Sequence, residues 1–112
     1  MKNILSISLL LFSSFINAAL IEVSATDNLQ LQLDNTNNGD TVLLKAGIYQ
    51  GNFIIPNSIT LTAKKGAVID ALGKGHALQL MDSDTTIKNL TIINWGDDLT
   101  EQNSAIYSDK NS

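Results

Sequence analysis

The amino-acid sequence predicts an all-β fold, a parallel β-helix whose first coils follow a cleavable export signal and are closed at one end by a short helix. Three observations predict it. β-Rich runs of three to five residues are separated by dense Gly, Asn and Asp punctuation. An ordered trio of such runs recurs after about 25 residues, the mark of a solenoid. No two-residue hairpin turn joins two matched strands, so the runs must pair by winding rather than by folding back.

Residues 1–18 read as a secretory signal and residues 19–112 as the N-terminal part of a β-helix domain. Met1-Lys2-Asn3 supplies a positive start, and Ile4 to Ile16 is apolar apart from serines. That run falls within the roughly 7–15 residues of a signal core and short of the roughly 20 needed to span a bilayer. Small residues at Ala18 and Ala19 put the expected cleavage near Ala18, although Ile16 stands where a small residue is preferred.

Asp27-Asn28-Leu29-Gln30 follows, with an acid and then a glutamine three residues later, the pattern of a helix start. Leu29 and Leu33 are four apart and share one helical face. The same stretch also alternates perfectly, as a strand would, so periodicity alone does not decide. A short helix is preferred because it would cover the open end of a stack of coils.

The remaining runs are Ile21–Val23, Thr41–Leu44, Phe53–Ile55, Ile59–Thr62, Val68–Ile69, Ala77–Met81, Thr86–Ile87, Leu90–Ile93 and Ala105–Tyr107. Their Ile, Val, Leu and Thr content suits a pleated surface. Phe53-Ile54-Ile55 aligns with Leu78-Gln79-Leu80 and then Ala105-Ile106-Tyr107, at offsets of 25 and 27. Ile59-Thr60-Leu61 aligns with Thr86-Ile87-Lys88 at 27, and Val68-Ile69-Asp70 with Ile92-Ile93-Asn94 at 24. Three short strands per period imply stacked coils about 4.8 Å apart, with apolar columns inside. Gly39, Asp40, Gly47, Gly51, Gly73, Gly75 and Gly96 read as the turn devices between strands.

Composition limits function. Lys2 aside, 6 of the 7 basic residues remain against 11 acids, and all are lysine. An acidic, arginine-free surface argues against nucleic-acid partners and anionic lipid. The absence of cysteine excludes a disulfide scaffold and thiolate metal sites.

Three stretches carry a family resemblance. Asn38-Gly39-Asp40-Thr41-Val42-Leu43-Leu44-Lys45-Ala46-Gly47-Ile48-Tyr49-Gln50-Gly51-Asn52 resembles the opening coil of right-handed parallel β-helix proteins, and Ile59-Thr60-Leu61 through Gly73-Lys74-Gly75 resembles a following coil. Asp84 through Trp95-Gly96-Asp97-Asp98-Leu99 to Ala105-Ile106-Tyr107 is similar to the NosD family, where a strand pair is followed by a Ser/Trp-Gly-x-Asp-Leu segment and an "aGIY" strand. Ala105 replaces the usual glycine. The resemblance implies a periplasmic accessory protein for copper delivery to nitrous-oxide reductase. Its implied partners are the membrane subunit and ATPase of an ABC-type transporter, a copper chaperone lipoprotein and the reductase itself. It also implies a longer chain: members of this family are several times this length, so a truncated or partial solenoid is expected.

Candidate chemistry is sparse. Copper in an exported site favours Met sulfur and His nitrogen, which singles out His76 and Met81, five residues apart. Column packing for Met81 and an exposed turn for His76 are the plainer readings. Trp95 and Tyr107 are candidates for stacking on a sugar or docking a partner. Asp70, Asp82, Asp84, Asp97, Asp98 and Glu101 are the acids available for sugar cleavage, which needs two carboxyls about 5–10 Å apart. Acids at turns usually bond their own backbone instead, so no catalytic residue is assigned and a non-enzyme is expected. The alternative is a carbohydrate-binding or polysaccharide-modifying module on the same fold.

Overall fold

The computed structural model describes residues 18–82, 84–96 and 105–108. The N-terminal segment up to Asn17, which the sequence reading assigns to an export signal, Ser83, the acids Asp97, Asp98 and Glu101, Asn103, and residues 109–112 lie outside them. The described chain is a parallel β-solenoid of about three turns. Its strands in order are β1 (Leu20–Val23), β2 (Thr41–Leu44), β3 (Gly47–Gln50), β4 (Phe53–Ile55), β5 (Thr60–Ala63), β6 (Ala67–Asp70), β7 (Leu78–Leu80), β8 (Thr86–Lys88), β9 (Thr91–Ile93) and β10 (Ile106–Ser108). Helix α1 (Leu29–Asp34) lies between β1 and β2.

Every strand pair is parallel, and the strands form three sheets in the orders β1-β2-β5-β8, β3-β6-β9 and β4-β7-β10. From β2 onward each turn of the chain therefore visits all three sheets once, whereas β1 is followed by the helix and then by β2 of its own sheet. Alternate residues point inward, as the pleat demands. Ile21, Val42, Leu61 and Ile87 stack in one column, Tyr49, Ile69 and Ile92 in a second, and Phe53, Leu78 and Ile106 in a third. Val42, Leu61, Ile69 and Leu78 are fully buried. Cover fades along the stack: Ile87 and Ile92 are half-buried, and Ile106 is exposed.

The expected register holds for one pair and slips for three. Phe53 pairs with Leu78 as the repeat predicts. Thr60, not Ile59, pairs with Thr86. Val68 pairs with Thr91 rather than Ile92, and Leu78 with Ile106 rather than Ala105. A one-residue slip exchanges the two faces of a strand. Coil length also varies: Thr41 pairs with Thr60, 19 residues on, whereas Leu78 pairs with Ile106, 28 on. The short first coil explains why β3 does not stand out as a run. Its bounding Gly47 and Gly51 read as turn residues, although Gly47 opens the strand.

Helix α1 forms, one residue later than its cap motif suggests. Asn28 is the N-cap, and its Oδ1 accepts the Leu31 N–H at 3.0 Å. Asp27 instead accepts the Ser24 N–H at 2.8 Å. Leu29 and Leu33 are buried over the core while Leu31 is exposed, so helical period wins over alternation. Gln30 takes another role. Its Oε1 accepts Ile54 N–H at 2.9 Å and its Nε2 donates to Ile54 O at 2.7 Å, so one amide mimics a paired strand on the outer edge of β4. Among the described residues no helix is long and apolar enough to cross a membrane.

Tyr49 ties the first coil together. Its hydroxyl lies 2.8 Å from Val23 O and 2.7 Å from Lys45 O and shares one proton between them. Burial, helped by the negative charge of Asp27, pushes this phenol above its ordinary value of 10.0. The fold therefore favours the neutral form. Its contribution is complete below about pH 10 and is lost as pH rises through the higher folded value. Urea midpoints between about pH 9 and 11.5 are expected to fall steeply for the native chain. In Tyr49→Phe the slope is expected to flatten, at a cost near neutrality of about 1 kcal/mol.

Candidate functional site

Of the residues singled out for chemistry, Asp70, His76, Trp95 and Tyr107 gather at one corner of the solenoid, where the second sheet gives way to the third. Corners are the only places where the backbone leaves the ladder, so polar groups there need local partners. Asp70, at the end of β6, accepts the Leu72 N–H at 2.9 Å, and Leu72 turns with φ 61°. The same Asp70 Oδ1 accepts Asn94 Nδ2 from the next coil at 3.1 Å. Gly73 N–H donates to Asn94 O at 2.6 Å and Gly96 N–H to Gly75 O at 3.0 Å. From the coil before, Asn52 Nδ2 donates to Lys74 O at 2.6 Å and His76 O at 2.8 Å. Three coils are thus bolted together by side-chain amides and one carboxylate.

This framework presents His76 half-buried and Trp95 exposed. The ring of His76 stacks on Tyr107 with centroids 4.3 Å apart and planes 5° from parallel. Tyr107 reaches it because β10 pairs with Gln79 opposite Tyr107, which turns the ring outward. Under the register expected from sequence it would point into the core. Tyr107 and Trp95 remain 37 % and 45 % exposed, enough for either to meet a partner.

Met81 is not part of this corner. It follows β7 at its far end, whereas His76 precedes β7. An extended strand places residues five apart at about 16 Å, beyond the reach of a shared ion. Met81 is 40 % exposed, so it does not fill a column either. Among the described residues no group of three or more His, Asp or Glu side chains converges as a metal site. Asp70 is engaged with its turn, and Asp82 accepts the Asp84 N–H at 3.0 Å, so these acids serve local backbone. Gly39, Gly47, Gly51, Gly73 and Gly75 all adopt positive φ at or beside strand ends, Asp40 is buried, and Gly96 is held to Gly75.

Asn52 and Gln30 were not anticipated from sequence. Each acts across a coil, and a polar residue one period from a turn was the available signal.

Comparison with known proteins identifies the lineage. No family model and no solved structure matches the chain. Three curated relatives do, each named "Probable ABC transporter binding protein NosD". One from Stutzerimonas stutzeri is 37 % identical over 99 residues, covering 88 % of this chain and 21 % of its own length. One from Pseudomonas aeruginosa is 32 % identical over 90 residues, covering 80 % of both chains. One from Pseudomonas aeruginosa PAO1 is 39 % identical over 67 residues, 60 % of this chain and 16 % of its own length. The chain thus spans about a fifth of the Stutzerimonas stutzeri protein. With the parallel coils in place and a relative matched over most of both lengths, the chain belongs to the NosD family.

Proposed function

We propose that this chain forms the first coils of an exported, periplasmic solenoid that works with an ABC-type transporter to deliver copper for assembly of the nitrous-oxide reductase metal site. The observation that carries the reading is the two-way match to a protein named as a probable ABC transporter binding protein. Copper is cargo in this reading, not a resident cofactor. The described coils contribute a rigid face, with Trp95 and Tyr107 as the anchors a protein partner would bury. Holding them on a bolted corner limits the entropy lost on docking. A copper chaperone, the transporter's membrane subunit and the reductase are the partners in this scheme, and no step of it requires catalysis by this chain.

The test is deletion of the gene in a nitrous-oxide-respiring host, followed by metal analysis of the purified reductase. A copper-poor, inactive reductase, restored by the native gene, is the expected result. A fully copper-loaded reductase in the deletion strain contradicts the reading.

Exposed aromatics also suit sugar stacking, which favours a second reading as a carbohydrate-binding module. Trp95 is the one tryptophan of the sequence, so its fluorescence reports on that corner directly. Quenching or a blue shift on titration with acidic polysaccharide would support the second reading. An unchanged spectrum would count against it.

A further inference from the structure

Asp40 lies immediately before β2. Its side chain is 3 % exposed. One oxygen, Oδ2, accepts the Asn37 N–H at 2.8 Å and closes the turn before β2. The other, Oδ1, reaches back one coil and accepts the Ala19 N–H at 2.9 Å. The carbonyl of Ala19 accepts Thr41 N–H at 2.9 Å. Both backbone groups of Ala19 are therefore held, although Ala18 and Ala19 are both exposed residues.

The two N–H donors, from Asn37 and then Ala19, hold the Asp40 carboxyl below its ordinary value of 3.8, so it carries full charge at neutral pH. A charge removed from water calls for an opposite charge. Among the described residues the recorded ion pair joins Lys45 to Glu22, and none involves Asp40. The position that the sequence marks for cleavage falls beside this carboxylate. Two independent observations, a small-residue cleavage site and a buried acid gripping the next nitrogen, meet at one bond.

We propose that Asp40 is the receptor for the α-ammonium group released when the leader is cut between Ala18 and Ala19, so that processing adds the ion pair that fastens β1 onto β2. Hydrolysis adds one water across the Ala18–Ala19 peptide bond. The oxygen goes to the Ala18 carbonyl carbon, which leaves as a carboxylate. The Ala19 nitrogen gains the protons and becomes an ammonium. The enzyme is an exported-protein endopeptidase that accepts small residues before the cut. The hydrogen bond already in place, charge-assisted by the carboxylate alone, then becomes an ion pair with charge on both partners. The proposal rests on the export reading and is independent of copper delivery.

The experiment uses the full reading frame, expressed with its own leader in an exporting bacterial host. Mass spectrometry of the periplasmic product is expected to give a chain beginning at Ala19. The second readout is the rate at which a succinimidyl ester acylates the α-amine at pH 7. A free α-amine titrates near 7.7–8.0, and a neighbouring carboxylate raises that value by about one unit or more. The processed chain is therefore expected to react about tenfold more slowly than Asp40→Asn, or than a cytosolic form that keeps Met and Ala18 ahead of Ala19. The extended form retains Asp40, so the comparison survives if Asp40→Asn fails to fold. A product beginning elsewhere, or equal acylation of the processed and extended chains, overturns the proposal.

Discussion

Gly47→Ala is expected to destabilise the chain by roughly 2–6 kcal/mol, read as a fall in the urea midpoint with little change in slope. Gly47 opens β3 with φ 144°, a backbone region that residues with a Cβ rarely occupy. Strain of that kind costs about 1–3 kcal/mol. A Cβ built there also lies 2.6 Å from Ala25 Cβ, closer than two carbons can approach. Ala25 lies on the segment between β1 and α1, so the end cap must shift to relieve the contact. Overpacking adds about 1–3 kcal/mol more. Gly39→Ala is the control: its φ is 95°, but a Cβ there meets nothing within 4 Å. Gly39→Ala should show the strain alone, at about 1–3 kcal/mol. Equal losses at the two positions would mean that the end cap does not press on β3.

Leu61→Ala is expected to cost about 2–5 kcal/mol. Leu61 is fully buried at the middle of its column, with Val42 on one side and Ile87 on the other. Removing its side chain opens a cavity that the ladders on both sides hold open. Each coil packs chiefly on its neighbours, so a loss at the centre weakens two interfaces at once. Ile87→Ala, in the same column but half-buried, should cost clearly less. Thermal or urea unfolding of the pair gives the comparison. A larger loss at Ile87 would place the centre of the core elsewhere.

The winding itself was legible in the amino-acid sequence, because Phe53-Ile54-Ile55 and Leu78-Gln79-Leu80 share both pattern and register. Register elsewhere was harder to read. Ile92-Ile93 and Ala105-Ile106-Tyr107 are apolar on consecutive positions, so nothing in them marks which residue faces inward. The structure decides it through the loops: 28 residues separate Leu78 from Ile106, and that length turns Tyr107 outward against His76. Likewise Gly47 carries a turn signal and a strand role together, and only the short first coil, with Thr41 opposite Thr60, reveals β3.

The corner that presents Trp95 and Tyr107 was only partly legible. The aromatics stood out by type. What fixes them did not, since Asn52, Asp70 and Asn94 act across coils. Such contacts follow once coil length is known, and so does the reach of Asp40 to Ala19. His76 and Met81 were paired by chemical softness alone. Strand geometry separates them, because β7 runs between them.

The parallel winding underlies both the kinship and the proposed scaffold role, and the cysteine-free sequence allows a direct test of it. Thr62 and Lys88 are outward partners on β5 and β8. Adjacent strands lie about 4.8 Å apart, within the roughly 4.4–6.8 Å that a disulfide spans between Cα atoms. Thr62→Cys with Lys88→Cys is expected to cross-link on mild oxidation, and peptide mapping identifies the bridge. Thr60→Cys with Lys88→Cys, two positions out of register, should stay reduced. Bridging of the second pair, or of neither, would contradict a chain that stacks coil upon coil.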